Sequence, residues 1–247
     1  MIRYYGKKPY KAVVVHGGPG ALGSLGAFAG KLSSYFGVAE PIQTKYSINE
    51  LIEELHGHIT CLKEKEITLL GHSWGALLCV LYAAKYSQKL RRVILVSSAS
   101  FEERFSSLAE KTRRARLTDK EYQTSQEILA RGDAEKINKF FDKTDNYDAF
   151  EEESALIKFD LKMLNEIWNE ASGLRNQNKF ISSLKKIKCP ITVIHGEYDP
   201  HPYLGVVKPL EENGVKFDKY ILPKCGHYPY RERFACDVFY QILKKII

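Results

Sequence analysis

The sequence predicts an α/β fold: a mostly parallel, twisted sheet with helices on both faces, interrupted by a helical insertion. Three observations carry this. Short β-branched runs alternate with amphipathic or apolar stretches over residues 1–100 and again over 188–247. Strand and helix patterns that alternate in this way imply parallel pairing through βαβ units. Between those stretches, residues 101–187 lose the strand signals, gain charge and read as helices. Finally, the distinctive Gly-containing loops directly follow strands, and ligands of such sheets bind beyond the carboxyl ends of the strands. The expected organisation is a core formed by 1–100 and 188–247, with 101–187 inserted as a helical cap.

Each element has its own signal. Ala12-Val13-Val14-Val15 is a wholly apolar run, as expected of a strand buried on both faces, and it ends at His16-Gly17-Gly18-Pro19-Gly20. Only about eleven residues precede it, so the first strands of the sheet are expected to be missing or short. Ser47 to Leu62 reads as a helix. Ser47 and Glu50 form a capping box, and Ile48, Leu51, Ile52, Leu55, Ile59 and Leu62 share one face. Glu66 to Leu70 is the next strand and runs into Gly71-His72-Ser73-Trp74-Gly75. Ala76 to Tyr86 is a nearly all-apolar helix, expected to be buried. Arg92 to Val96 is a strand. After the insertion, with its aromatics Phe140, Phe141, Phe159 and Trp168, Ile191 to Ile194 is a strand ending at His195-Gly196. Phe217 to Leu222 is the last strand, followed by Pro223-Lys224-Cys225-Gly226-His227 and a final helix from about Arg231.

Composition narrows the function classes. Hydrophobic residues at 44% and charged residues at 27% are ordinary for a soluble globular chain. A chain of 247 residues buries a substantial core without disulfides or metals. The formal charge of +7 is spread among acids. The densest basic run, Arg113-Arg114-Ala115-Arg116, adjoins Glu110 and Asp119 and reads as an exposed helix face, not as a nucleic-acid site. Five cysteines, an odd number with no CxxC pair, fit reduced thiols. The first residues lack the apolar region of a signal peptide, and no apolar run reaches bilayer length. The expectation is a cytoplasmic protein with no nucleic-acid or membrane partner. Oligomeric state is not readable.

Gly71-His72-Ser73-Trp74-Gly75 matches G-x-S-x-G between an apolar strand and an apolar helix. In that context the serine sits on a strained strand-to-helix turn, with Gly two residues to either side because side chains there would crowd it. The helix N-terminus beneath it favours developing negative charge. A serine nucleophile needs a base. His227 is the best of seven histidines, since it lies in a loop after the last strand. His16 and His72 read as residues that organise their loops. Two carboxylates, Glu197 and Asp199, follow the strand before it, and Asp199 is preferred, with Glu197 in reserve. An oxyanion hole needs two convergent N–H donors. Trp74 supplies one. The second comes from the His16–Gly20 loop, where Pro19 has no N–H and Gly18 is the best candidate.

With His16-Gly17-Gly18-Pro19-Gly20 and Gly71-His72-Ser73-Trp74-Gly75, the chain resembles the α/β-hydrolase superfamily over nearly its whole length, and is similar to its proline iminopeptidase-like branch. The family order of Ser, acid and His implies a triad of Ser73, Asp199 and His227, with Gly18 and Trp74 as oxyanion donors. It implies a serine hydrolase that cleaves an ester, thioester or amide through an acyl-enzyme, acting on a small molecule or short peptide. The alternatives are an aminopeptidase, whose cap acid (Glu151, Glu152, Glu153 or Glu170) would bind the substrate amine, or a non-catalytic receptor on the same fold. No cofactor is expected, and the spacing of His195, Asp199, His201, Cys225 and His227 fits no zinc pattern. Tyr198, Tyr203, Tyr228, Tyr230 and Phe234 are candidate pocket walls near the acid and base loops.

Overall fold

The computed structural model describes residues 1–131, 134–151 and 157–247. The chain opens with β1 (Ile2–Tyr5), β2 (Tyr10–Val15), a two-residue β3 (Ala21–Leu22), α1 (Gly26–Leu32) and β4 (Gly37–Pro41). There follow α2 (Ile48–Leu62), β5 (Ile67–His72), α3 (Trp74–Lys85) and β6 (Leu90–Val96). The insertion supplies α4 (Leu108–Ala115), α5 (Asp119–Arg131), α6 (Ala134–Asp145), β7 (Lys158–Phe159), α7 (Leu161–Asn176) and α8 (Lys179–Leu184). The chain closes with β8 (Ile191–Gly196), α9 (Leu204–Glu212), β9 (Asp218–Leu222) and α10 (Cys236–Ile246).

Seven strands form one sheet in the order β1-β4-β2-β5-β6-β8-β9. Only β1 and β4 pair antiparallel; every other neighbour is parallel. The first strand is short, as expected, at four residues. β1 is present, and β4, which has no local strand pattern, lies between it and β2. β4 carries Glu40 at 0% exposure. That carboxylate is satisfied by Nε of Arg3 at 2.8 Å, the Tyr5 hydroxyl at 3.0 Å and the Leu25 N–H at 3.2 Å. Its neighbours thus make an acid tolerable in a buried strand.

Alternation along the strands divides the core into two layers. Val13, Val15, Leu69, Val93, Leu95 and Val193 face the layer built with α2, α3 and α7 to α9. Ala12, Val14, Leu70, Ile94, Val96 and Ile194 face the layer built with α1 and α10. Both faces are covered, so these strands are continuous apolar runs. Phe180, Ile181 and Leu184 of α8 share the first layer with α3, so the end of the insertion is packed into the core. Ser47 caps α2 as expected: its Oγ accepts from the Glu50 N–H and donates to the Glu50 carboxylate.

Two local departures have physical reasons. Within the insertion, where no strand is expected, Lys158 and Phe159 pair with Leu22 and Ala21. α9 contains Pro209, whose ring nitrogen leaves the Gly205 carbonyl without its helical partner. The Phe101 N–H donates to that carbonyl at 3.2 Å instead. Among the described residues no helix is long and apolar enough to cross a membrane.

Candidate active site

The carboxyl ends of β2, β5, β8 and β9 bring the motif loops together. Ser73 follows β5 and opens α3 with φ 55° and ψ −119°, a strained conformation for a residue with a Cβ. Its own N–H donates to the Val96 carbonyl at 3.0 Å. The flanking glycines are required by contact: a Cβ on Gly71 would lie 2.3 Å from the Gly75 carbonyl oxygen, and one on Gly75 would lie 2.2 Å from that of Val15. The loop after β2 presses on the same turn, since a Cβ on Gly17 would sit 2.8 Å from that of Ser73.

His227 is 3% exposed, and its Nδ1 lies 3.0 and 2.9 Å from the two oxygens of Asp199. Asp199 is 5% exposed. Its Oδ1 also accepts the His201 N–H at 2.8 Å, and its Oδ2 lies 3.2 Å from Nε2 of His195. Burial works against the ionised carboxyl, but the facing His227 and His195 rings hold it well below the usual carboxylate range. Glu197, the reserve acid, is exposed. Nε2 of His227 has no hydrogen-bond partner among the described residues, the Ser73 hydroxyl included; such contacts often tighten only when substrate binds.

The supporting histidines are neutral. His72 donates from Nε2 to the His227 carbonyl at 2.8 Å, and burial pushes its pKa down to about 3. His16 is pushed by burial to about 4. Its Nε2 accepts the Gln43 N–H at 3.3 Å, and its carbonyl accepts from the Gln43 side chain at 2.9 Å. Gln43 in turn accepts the Trp74 indole N–H at 2.9 Å. Gln43 therefore ties the Gly-rich loop to the first turn of α3. The backbone N–H groups of Gly18 and Trp74 bond to no protein acceptor among the described residues.

A cavity of about 640 Å³ opens over Ser73, a size usual for small-molecule sites. Gly17, Gly18, Ser73 and His227 form its floor. Phe141, Phe159, Leu164 and Trp168 come from the insertion, and Tyr228 and Tyr230 from the base loop. Tyr198 and Phe234 instead lie at the surface, and Tyr203 packs on the core.

Arg113 corrects the reading of its basic run as an exposed face. It lines the cavity and grips both oxygens of Asp145, at 2.8 and 2.6 Å. Asp145 also accepts the His227 N–H on its carbonyl at 2.7 Å. A second residue that sequence reasoning misses is Glu232. Fully buried, it accepts the N–H groups of Gly226, Tyr147 and Asp148, each at 2.8 Å. The sequence pattern merges it with the last helix; only the fold shows that it clamps the base loop to the insertion. Among the described residues no three His, Cys, Asp or Glu side chains could hold a metal.

Comparison with known proteins bears on the fold. A cis-3-alkyl-4-alkyloxetan-2-one decarboxylase from Shewanella oneidensis is 32% identical over 57 residues, which are 23% of this chain and only 18% of that protein. An α/β fold family hydrolase from Bacillus anthracis superposes with a TM-score of 0.69 at 17% identity, over 100% of this chain and 94% of that one. A monoacylglycerol lipase from Paleococcus ferrophilus superposes with a TM-score of 0.63 at 19% identity, over 99% of this chain and 96% of that one. At such identities the structural likeness speaks for the fold alone. The sequence pattern of the α/β-hydrolase fold family matches residues 33–233. With most of its length so matched and its strands in the order described, the chain belongs to the α/β-hydrolase fold family.

Proposed function

We propose that the protein is a serine hydrolase that cleaves an ester, thioester or amide of a small molecule or short peptide through an acyl-enzyme on Ser73. Residues 101–187 act as the cap that shapes its substrate. The observation that carries this reading is the buried His227–Asp199 pair, aligned at 2.9 to 3.0 Å, with His227 lining the same cavity as a strained Ser73. Ser73 Oγ attacks the acyl carbon while Nε2 of His227 takes its proton. Asp199 holds the ring with Nδ1–H inward and stabilises the imidazolium. The oxyanion is received by the N–H groups of Gly18 and Trp74, which are free of protein acceptors among the described residues. Collapse expels the leaving group, which takes the proton from His227. Water, deprotonated by the same ring, then releases the acid.

The aminopeptidase reading needs a free carboxylate in the cavity. Glu170 accepts the Ile48 N–H at 2.8 Å and does not line it, and Glu151 is exposed. Glu152 and Glu153 lie outside the described residues. The test is labelling by a fluorophosphonate probe. Wild type should label and Ser73→Ala should not; folded wild type that fails to label would overturn the nucleophile. A panel of p-nitrophenyl esters beside Pro- and Ala-naphthylamides then separates esterase from aminopeptidase. Ligand binding with no acyl turnover would favour the receptor.

A further inference from the structure

The cavity over Ser73 holds three cations, Arg113, Arg175 and Arg231, and three carboxylates, Glu110, Asp142 and Asp145. Four of the six cancel in pairs. Arg113 grips Asp145 with two N–H donors, and Arg231 donates to Asp142. Glu110 is an exposed residue of α4. Arg175 is different. It stands in the last turn of α7 and is 7% exposed. Its Nε donates to the Ser100 carbonyl at 3.1 Å. Its acid partner is Glu103, 3.5 Å from Nη1, on a side chain that is 47% exposed.

A buried guanidinium is costly unless paired and hydrogen-bonded. It presents five N–H donors in a fixed fork that fits a carboxylate bidentately. Ser100 takes one donor of Arg175, and the long contact to Glu103 is its only ion pair among the described residues. Arg175 lines the cavity, and Leu161, Leu164 and Trp168 are among the apolar residues that line it as well. A cation on an apolar wall suits a substrate with an apolar spacer ending in an anion. Burial lowers the Arg175 pKa, as expected for a cation whose partner is remote. Arg stays protonated at neutral pH all the same.

We infer that Arg175 binds a carboxylate carried by the substrate, so that the hydrolase prefers acyl compounds with an anionic end, such as half-esters of dicarboxylic acids. This rests on the acyl-enzyme reading above. The test compares p-nitrophenyl half-esters of succinate, glutarate and adipate with neutral acyl esters of matched length. A second pair, the pentanoyl ester of 4-hydroxybenzoate and its methyl ester, places the charge on the leaving group. Wild type should favour one anionic series in kcat/KM by at least about tenfold, the scale of a hydrogen bond to a charged group. Arg175→Gln should bring that ratio down to near one, and Arg175→Lys should keep part of it. Glu103→Gln should raise it, by removing the competing carboxylate. Calorimetric binding of the same half-esters to Ser73→Ala protein reads the preference without turnover, so failure of the nucleophile assignment does not mask the result. Protein that labels at Ser73 but favours neither anionic series would overturn the role of Arg175 and leave the hydrolase standing. So would an anionic preference that survives Arg175→Gln.

Discussion

Replacing Glu232 by Ala perturbs the base loop while leaving Ser73, Asp199 and His227 unsubstituted. The substitution strands three backbone N–H groups, those of Gly226, Tyr147 and Asp148, each now bonded at 2.8 Å. A hydrogen bond to a charged group contributes roughly 1.5–3 kcal/mol. The Gly226 amide is buried and bears the full loss, whereas Tyr147 and Asp148 are exposed residues whose amides recover part of theirs from water. The expected destabilisation is about 4 kcal/mol. That is a large share of the ~5–15 kcal/mol that holds a typical domain. Because Gly226 precedes His227, the base also loses its register, and a displacement of about 1 Å can cost on the order of 100-fold in rate. Glu232→Gln keeps the volume but turns one acceptor into a donor, so it should cost about half as much in stability. Urea unfolding followed by tryptophan fluorescence gives the stability. Ester turnover and the rate of fluorophosphonate labelling give the activity. If Glu232→Ala unfolds within about 1 kcal/mol of wild type and labels at the wild-type rate, Glu232 does not hold the base loop.

Gly75→Ala places a Cβ 2.2 Å from the Val15 oxygen and 2.7 Å from that of His16, and should cost more than about 3 kcal/mol in thermal unfolding. Gly57→Ala, in α2 with nothing within 4 Å of the new methyl, should instead add roughly 0.5–1 kcal/mol; a similar effect at both sites contradicts the packing argument. Asp199→Asn should lower turnover by on the order of 10⁴, while Glu197→Gln at an exposed site changes it little; the reverse result in ester kinetics reassigns the acid. His16 and His72 stay neutral when folded, with pKa values of about 4 and about 3, against 6.5 for the free side chain. Between those values the unfolded chain binds more protons, so stability is full above pH 6.5 and declines as pH falls towards 4 and 3. The decline is about 1.4 kcal/mol per ring for each pH unit within that window, and a urea midpoint that is flat from about pH 7 to about pH 4.5 speaks against buried neutral rings.

Residues that signal through their own neighbours are readable in the sequence, and those that act through distant partners are not. Val13, Leu69 and Val193 belong to unbroken apolar runs because helices cover both faces of the sheet. Ser73 is readable because the glycines it needs lie two residues away on each side. β4 escapes notice because Glu40 and Pro41 argue against a buried strand. Pairing with β1 and β2, and the donors from Arg3, Tyr5 and Leu25, override that local preference. Arg113 reads as surface because helix periodicity says which residues share a face, not which face turns to a cavity. Arg175 carries no local signal for a similar reason: its partner, the Ser100 carbonyl, is 75 residues away.

The bond from the His227 N–H to the Asp145 carbonyl limits how modular this architecture can be. A cap that met the core only through side chains could be traded between relatives as a cassette, changing specificity while the catalytic centre stayed as it was. In this chain the last residue of α6 is part of the scaffold of the base. A chimera that replaces the whole insertion must set a backbone carbonyl at the same point for His227, however well the new cap fits the cleft. Keeping residues 144–148 with the host preserves that bond, so the seam for grafting lies inside the insertion rather than at its ends.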